Sequence, residues 1–198
     1  MGRIVSNFYI SLDGVVEAPE QWQFPYFNDQ FGEAVSRSMG STDAFLMGRT
    51  LYDEWSSYWP GREGRETGLP GEPAEGAARF ASFINNVPKY VVSSTLKEPA
   101  WANTTVVSGD VAGRLKELKA ETEGDISTSG SATLVRWLLA NRLLDELRLL
   151  IHPIVVGHGR RLFDQAPECP LRLVHAETFA TGVLDVIYAP EAGAGVTR

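Results

Sequence analysis

Three short stretches of this chain combine small residues, hydroxyls and a cation in a way that suits phosphate oxygens. Met47-Gly48-Arg49-Thr50 supplies a glycine for close approach, a forked guanidinium and a hydroxyl. Ser93-Ser94-Thr95 supplies consecutive hydroxyls, and Ser129-Gly130-Ser131-Ala132-Thr133 runs into a strongly periodic apolar stretch. A turn of the last kind aims backbone N–H groups outward at the positive end of a helix, where an anion is stabilised. Taken singly, each also reads as a turn or cap, since serine and threonine satisfy helix-start donors without a ligand. GxGxxG and GxxxxGK[ST] are both absent, so neither standard nucleotide fingerprint applies.

Asp13, in Ser11-Leu12-Asp13-Gly14, has the chemistry to orient a polar substrate or a proton-donating water, and equally to form a plain Asp-Gly turn. Five aromatics lie within residues 22–31. Trp22, Phe24 and Phe27 suit the walls of a slot for a flat heterocycle. The same rings could instead pack the first helix or an oligomer contact. His152 and His158 have no carboxylate or cysteine at ligand spacing and read as a strand residue and a turn residue, so no metal site is expected.

These groups need a frame. Residues 3–12 are rich in β-formers and stop at Asp13-Gly14. A helix is predicted over 28–39, capped by Asn28 or Asp29, then a buried strand at Asp43–Met47 and a helix from Gly48 through Trp55. Residues 60–76 hold five glycines and three prolines and read as a flexible surface insertion. A helical turn at Phe80–Asn85 precedes strands at 89–93 and 104–109, a charged helix at 110–122 and a short strand at 125–128. The helix at Ser131–Ala140 presents Leu134, Val135, Trp137, Leu138 and Leu139 as a broad apolar face. A strand at 147–156 contains Pro153, which suggests a bulge or a sheet edge. Strands at 171–177 and 183–189 follow, and 191–198 reads as a disordered tail. Strands alternating with helices imply an α/β fold with a mostly parallel sheet covered on both faces and an antiparallel C-terminal edge. In such sheets, ligands bind beyond the carboxyl ends of the strands.

At 198 residues the chain fits one domain, placed at 1–190. Its net charge of −7 speaks against nucleic acid as a partner, since non-specific binders carry basic patches. The single cysteine, Cys169, excludes an intrachain disulfide and a cysteine-cluster zinc site. No apolar run approaches the roughly 18 residues of a membrane span, and no secretory signal is visible, so a cytoplasmic protein is expected. Met1-Gly2…Ser6 matches the bare myristoylation pattern, but a strand begins at once.

Taken together, ISLDG, LMGRTLYDEW, KYVVSST and ISTSGSATLVRWLL…LLDELRLLIHPIVVGHGRRLF resemble the dihydrofolate reductase superfold, and within it the riboflavin-pathway branch represented by the RibD C-terminal reductase domain. The resemblance covers about residues 3–190 and implies a three-layer α/β/α fold, NADPH as cofactor, a small-molecule substrate and a homodimer. It implies that Gly48, Arg49 and Thr50 meet the cofactor phosphates, that Ser93 and Ser94 lie beside the adenosine ribose, and that Ser129, Gly130, Ser131, Ala132 and Thr133 take the pyrophosphate. Ser11 to Val16 would lie along the nicotinamide and substrate as a mobile loop. Departures are visible: Ser129 stands where a first glycine is usual, and Ala132 where some members carry an arginine for the 2′-phosphate. No carboxylate of the first helix, Asp29 or Glu33, aligns with the one that dihydrofolate reductases use.

The leading expectation is an NADPH-dependent reductase of a small heterocycle, most specifically one with 5-amino-6-(5-phosphoribosylamino)uracil reductase-like activity. Dihydrofolate reductase activity and a non-catalytic nucleotide-binding dimer are the alternatives.

Overall fold

The computed structural model describes residues 1–64, 74–166 and 168–191. Its strands are β1 (Arg3–Ser11), β2 (Thr42–Gly48), β3 (Lys89–Val92), β4 (Thr104–Val107), β5 (Asp125–Thr128), β6 (Glu146–His152), β7 (Leu171–Thr178) and β8 (Leu184–Pro190). Its helices are α1 (Asp29–Gly40), α2 (Arg49–Tyr58), α3 (Ala74–Asn86), α4 (Val111–Glu121) and α5 (Ala132–Ala140). The eight strands form one sheet in the order β4-β3-β2-β5-β1-β6-β8-β7. All pairings from β4 to β6 are parallel, and β6-β8-β7 is antiparallel. This is the α/β class with the antiparallel edge that the order of elements predicts.

Alternation along β2 shows how the layers are built, because successive side chains leave a strand on opposite faces. Ala44 and Leu46 join Leu115, Leu118, Leu134 and Leu138 under α4 and α5. Phe45 and Met47 join Leu51, Tyr52 and Ile84 under α2 and α3. A third cluster gathers Phe31 of α1 with Leu150, Phe179 and Val183. Helices therefore cover both faces of the parallel part.

Local chemistry sets the element ends. Asn28 caps α1 by accepting the Phe31 N–H at 2.9 Å, and Asp110 caps α4 through the Gly113 N–H at 2.9 Å. At the far end of α3, Lys89 is fully buried, and its Nζ donates to the carbonyls of Ile84 (2.9 Å), Asn85 (3.2 Å) and Val87 (2.9 Å). The ammonium thereby closes the negative end of the helix. It also lies 4.7 Å from the centroid of the Trp101 ring.

Two boundaries differ from expectation, and two expected segments fall largely outside the described residues. The single turn predicted at Phe80–Asn85 is part of the thirteen-residue helix α3, whose first residues fall inside the Gly/Pro-rich stretch that masks its periodicity. Of the 60–76 insertion, residues 65–73 lie outside the described residues, as do 192–198 of the tail. Finally, Pro153 neither bulges nor marks an edge: β6 ends at His152, and it lies inside the sheet between β1 and β8. Proline has no N–H for the ladder, so it ends the strand. The register shifts lie elsewhere, in β2–β5 between Thr42 and Ala44 and, on the outermost strand, in β7–β8 between Leu173 and His175.

Candidate cofactor and substrate site

Strand order places the three hydroxyl-rich turns side by side. They follow β3, β2 and β5, which are neighbours, and the Ser11–Gly14 turn follows β1, the next strand along. From β3 to β1 this row spans three strand spacings, roughly 14 Å. Two bonds join the turns. The Gly48 N–H donates to Ser131 Oγ at 3.0 Å, and Arg49 Nη1 donates to Thr95 Oγ1 at 3.3 Å. Ser131 is the N-cap of α5, yet it caps nothing there, because its hydroxyl is used across the gap to β2. Gly48, the N-cap of α2, has no side chain to cap with. Two helix starts without side-chain caps thus lie side by side, the setting in which backbone N–H groups receive an anion.

Gly130 has φ 71°, and a Cβ on it would stand 2.9 Å from Leu51 Cδ1. A Cβ on Gly48 would stand 3.3 Å from Ser131 Oγ. The glycines therefore let the two turns pack closely against Leu51 and Ser131, and the uncapped helix starts form a cradle whose amides could receive an anion such as the diphosphate of a dinucleotide. Thr50 and Thr133 are exposed in the first turns of α2 and α5, Ser129 is half-buried, and Ala132 is buried against the core.

Beside the cradle, a cavity of about 450 Å³ is lined by Arg49, Ser93, Ser94 and Thr95, with Ser108 and Gly109. Ser93 Oγ is occupied within its own turn, accepting the N–H groups of Thr95 (3.2 Å) and Leu96 (3.1 Å), whereas Ser94 is exposed. Ser108-Gly109 is a fourth strand-to-helix turn that sequence reading left inside a strand. Its signal, Ser-Gly before a charged helix, was present. Arg136 was also missed: one turn into α5, it donates to Thr133 Oγ1 at 3.3 Å and to the Asp164 carbonyl.

Asp13 is a strut. Its Oδ1 accepts from Ser11 Oγ (2.7 Å) and the Val156 N–H (3.0 Å), while Oδ2 accepts from the Gly157 N–H (2.9 Å) and lies 3.4 Å from Arg161 Nη2. The Ser11 hydroxyl, followed by the amides, holds its pKa well below the usual carboxylate range. At neutral pH it is an anion, so it can orient a donor but not supply the proton. The implied mobility of Ser11–Val16 is likewise corrected. Leu12 donates to Ile154, Val16 to Arg160 and, from the other side, Leu162 to Gly14, at 2.8–3.0 Å. Ser11 itself is buried, with Oγ accepting the Val15 N–H.

The sign of the Asp13 contribution follows from its depressed folded pKa. Its stabilisation is fully present above the unfolded carboxylate value and is lost as pH falls toward the folded one. Asp13→Asn is therefore expected to unfold at lower temperature than the parent at pH 7 and pH 5 alike. Its deficit should shrink only well below pH 4, as thermal melts across that range will read.

Trp22, Phe24 and Phe27 line neither that cavity nor a second one of about 370 Å³ beside Ile10, Ser11 and Phe163. Trp22 and Phe24 are buried, and Phe27 packs on Phe31 with ring centroids 4.1 Å apart. The aromatic cluster covers the end of β6, where His152 is enclosed. Among the described residues, one trio with ligand atoms within 4.8 Å, His175, Glu177 and Asp185, could hold a metal. Arg37 already reaches Asp185 at 3.5 Å, and Gln30 reaches Glu177 at 3.5 Å.

The mostly parallel sheet places these neighbouring carboxyl-end turns and uncapped helix starts where open α/β sheets bind ligands. The family model of the RibD C-terminal domain matches residues 3–184. The chain belongs to that family. It is similar to the uncharacterised protein YyaP of Bacillus subtilis (strain 168), at 27% identity over 94% of each chain. Its fold matches a putative riboflavin biosynthesis protein from Shewanella sp. PV-4, at TM-score 0.71 and 17% identity over 97% of this chain and 100% of that one. It also matches the diaminohydroxyphosphoribosylaminopyrimidine deaminase/5-amino-6-(5-phosphoribosylamino)uracil reductase of Thermotoga maritima, at TM-score 0.61 and 14% identity. There the match covers 96% of this chain but 56% of the other, so this chain spans just over half of that protein.

Proposed function

We propose that this chain is an NADPH-dependent reductase that passes a hydride to a small flat heterocycle, most specifically 5-amino-6-(5-phosphoribosylamino)uracil. The observation that carries the reading is the joining of the turns after β2, β3 and β5 through the Gly48–Ser131 and Arg49–Thr95 bonds. Family membership supports it. In this reading Gly48, Thr50 and Ser129–Thr133 hold the diphosphate, while Arg49, Ser93 and Ser94 face the adenosine side. The bound nicotinamide supplies the hydride. Ser11 lies beside the heterocycle, Trp22 stands against His152 at the end of β6, and Asp13 holds the β1 turn and orients a polar group. Such transfer depends on close alignment of the two reacting carbons and on a proton source. The reading includes a homodimer.

One observation favours a second reading, a nucleotide-binding protein without turnover: Asp13, the acid at the β1 turn, is held ionised. Dihydrofolate reductase activity is disfavoured, because Asp29 and Glu33 of α1 are both exposed.

NADPH titration is expected to quench the fluorescence of the five tryptophans saturably, and a flat titration would remove the dinucleotide reading. Loss of reduced-nicotinamide absorbance with the phosphoribosyl pyrimidine then separates the reductase from the silent binder. Arg49→Ala is expected to weaken NADPH about ten- to a hundredfold and NADH far less, through loss of a forked contact to the 2′-phosphate. In the structure Arg49 Nε rests on Asp53 at 2.8 Å, so the phosphate must compete with that carboxylate. Equal losses for both cofactors would remove the role.

A further inference from the structure

The end of β6 holds a polar atom that the fold leaves unanswered. His152 is fully buried, with Nδ1 lying 2.9 Å from the Leu150 carbonyl. A carbonyl can only accept, so Nδ1 carries the proton and Nε2 of the neutral ring presents a bare lone pair. Nε2 has no hydrogen-bond partner among the described residues. Burial pushes the imidazole pKa down, against the raising effect of the Leu150 and Ile10 carbonyls beside the ring, and so favours the neutral form. Buried acceptors are nearly always answered, and one that is not calls for an explanation.

Its surroundings suggest what answers it. The rings of Trp22, Tyr26, Phe31 and Tyr9 stand around the imidazole at centroid distances of 5.2, 5.6, 5.8 and 6.3 Å, each tilted by 60–84°. Aromatic walls around one unpaired acceptor match a flat heterocycle that carries a ring N–H. His152 also pairs with Ser11 in the β1–β6 ladder, at the same sheet edge as the cofactor turns.

What closes the box is residues 18–27. This segment enters through Ala18 at φ 46° and consists of two short 3-10 turns, Pro19–Gln21 and Phe24–Tyr26, neither with a side-chain cap. The amides of Gln21, Trp22, Gln23, Tyr26 and Phe27 donate to carbonyls within the segment. Gln23 is buried as well, and its Oε1 also lacks a partner among the described residues. The preceding turn, by contrast, is tied to residues 154–162. Residues 18–27 are thus the side of the box held least by bonds to other segments.

We propose that His152 Nε2, beneath residues 18–27, is the polar anchor of the substrate slot, accepting a hydrogen bond from a ring N–H of the heterocycle. The proposal rests on the reductase reading for the identity of that heterocycle. Two readouts test it separately from turnover.

In protein carrying ¹⁵N-histidine, millimolar 6-aminouracil added to the NADP⁺-loaded protein is expected to move the His152 Nε2 resonance and leave exposed His158 in place. In steady-state assays with the phosphoribosyl pyrimidine, His152→Phe keeps the ring but removes the acceptor. It is expected to raise KM about tenfold or more while kcat stays within a few-fold and NADPH affinity is unchanged. His152→Gln, which restores an acceptor oxygen, should recover part of the loss. An unmoved Nε2 resonance, or a His152→Phe enzyme with parental KM, overturns the anchor. A moved resonance without turnover in the parent leaves the anchor standing and removes the reductase reading. Turnover with an unmoved resonance does the reverse. Should His152→Phe fail to fold, the resonance of the unaltered protein decides.

Discussion

Gly130→Ala is expected to weaken NADPH binding about ten- to a hundredfold while the protein stays folded. Two effects act together. At φ 71° a non-glycine residue costs roughly 1–2 kcal/mol, which a domain of ordinary stability can bear. The added Cβ would also stand 2.9 Å from Leu51 Cδ1, so the turn or the leucine must shift. Leu51 belongs to α2, whose start forms the other half of the cradle; its Cδ1 is the tip of a flexible side chain, so the turn at Gly130, already strained, is what displaces the α5 amides. Displacements of about 1 Å in positioned donors cost on the order of a hundredfold. Gly61→Ala is the control. Its φ is 76°, a Cβ there meets nothing within 4 Å, and it lies beyond the far end of α2. Its NADPH affinity should match the parent. Calorimetric titration of both variants checks the expectation, and equal losses in the two would mean that backbone strain alone is responsible.

Lys89→Met is expected to be the most damaging single change for stability. The side chain is fully buried, and burial pushes its pKa down to about 8, so at pH 7 it is still mostly ammonium. Methionine fills similar space but leaves three carbonyls around the end of α3 without their donor. Stranding buried polar groups of this kind costs about 3 kcal/mol, which for a chain of this length lowers the melting temperature by roughly 6–12 °C. Arginine should not rescue it, because a planar fork does not fit a pocket built around a compact ammonium. Differential scanning calorimetry at pH 7 reads the shift. A Lys89→Met protein that melts with the parent would show that water satisfies those carbonyls instead.

Lys89 also shows where sequence reading stops. A lysine opening KYVV reads as the solvent-side start of a strand, and its real partners are carbonyls that only the packing of α3 against β3 delivers. What depends on local period was readable: the alternation of strands and helices, the Asn28 cap and the apolar face of α5. What depends on register was not. The order of strands sets Ser131 against Gly48, 83 residues away, and turns an ambiguous helix cap into a link between two turns. Asp13 reads in the sequence as an orienting acid or a plain Asp-Gly turn, whereas its bonding partners are Val156, Gly157 and Arg161, more than 140 residues along the chain. His152 was set aside because no ligand partner stood at metal spacing, whereas its surroundings are rings from β1, the 18–27 segment and α1. The Pro153 reading failed because a proline ends a central strand as readily as it marks an edge.

The shifted register of β7 has a consequence for the protein at high concentration. A sheet with open rims invites another sheet to add to it, and growth by that route ends in fibres. Here the two rims are unlike. On one side β4 offers only the four residues Thr104–Val107. On the other, β7 is long and exposes Leu173 and Val174, but the irregularity falls at those two residues, flanked by Arg172 and His175. The stickiest stretch of the rim is thus the one that cannot present a flat, evenly spaced row of donors and acceptors. Straightening it, by deleting the extra residue, would remove this guard against stacking while leaving the turns after β2, β3 and β5 untouched.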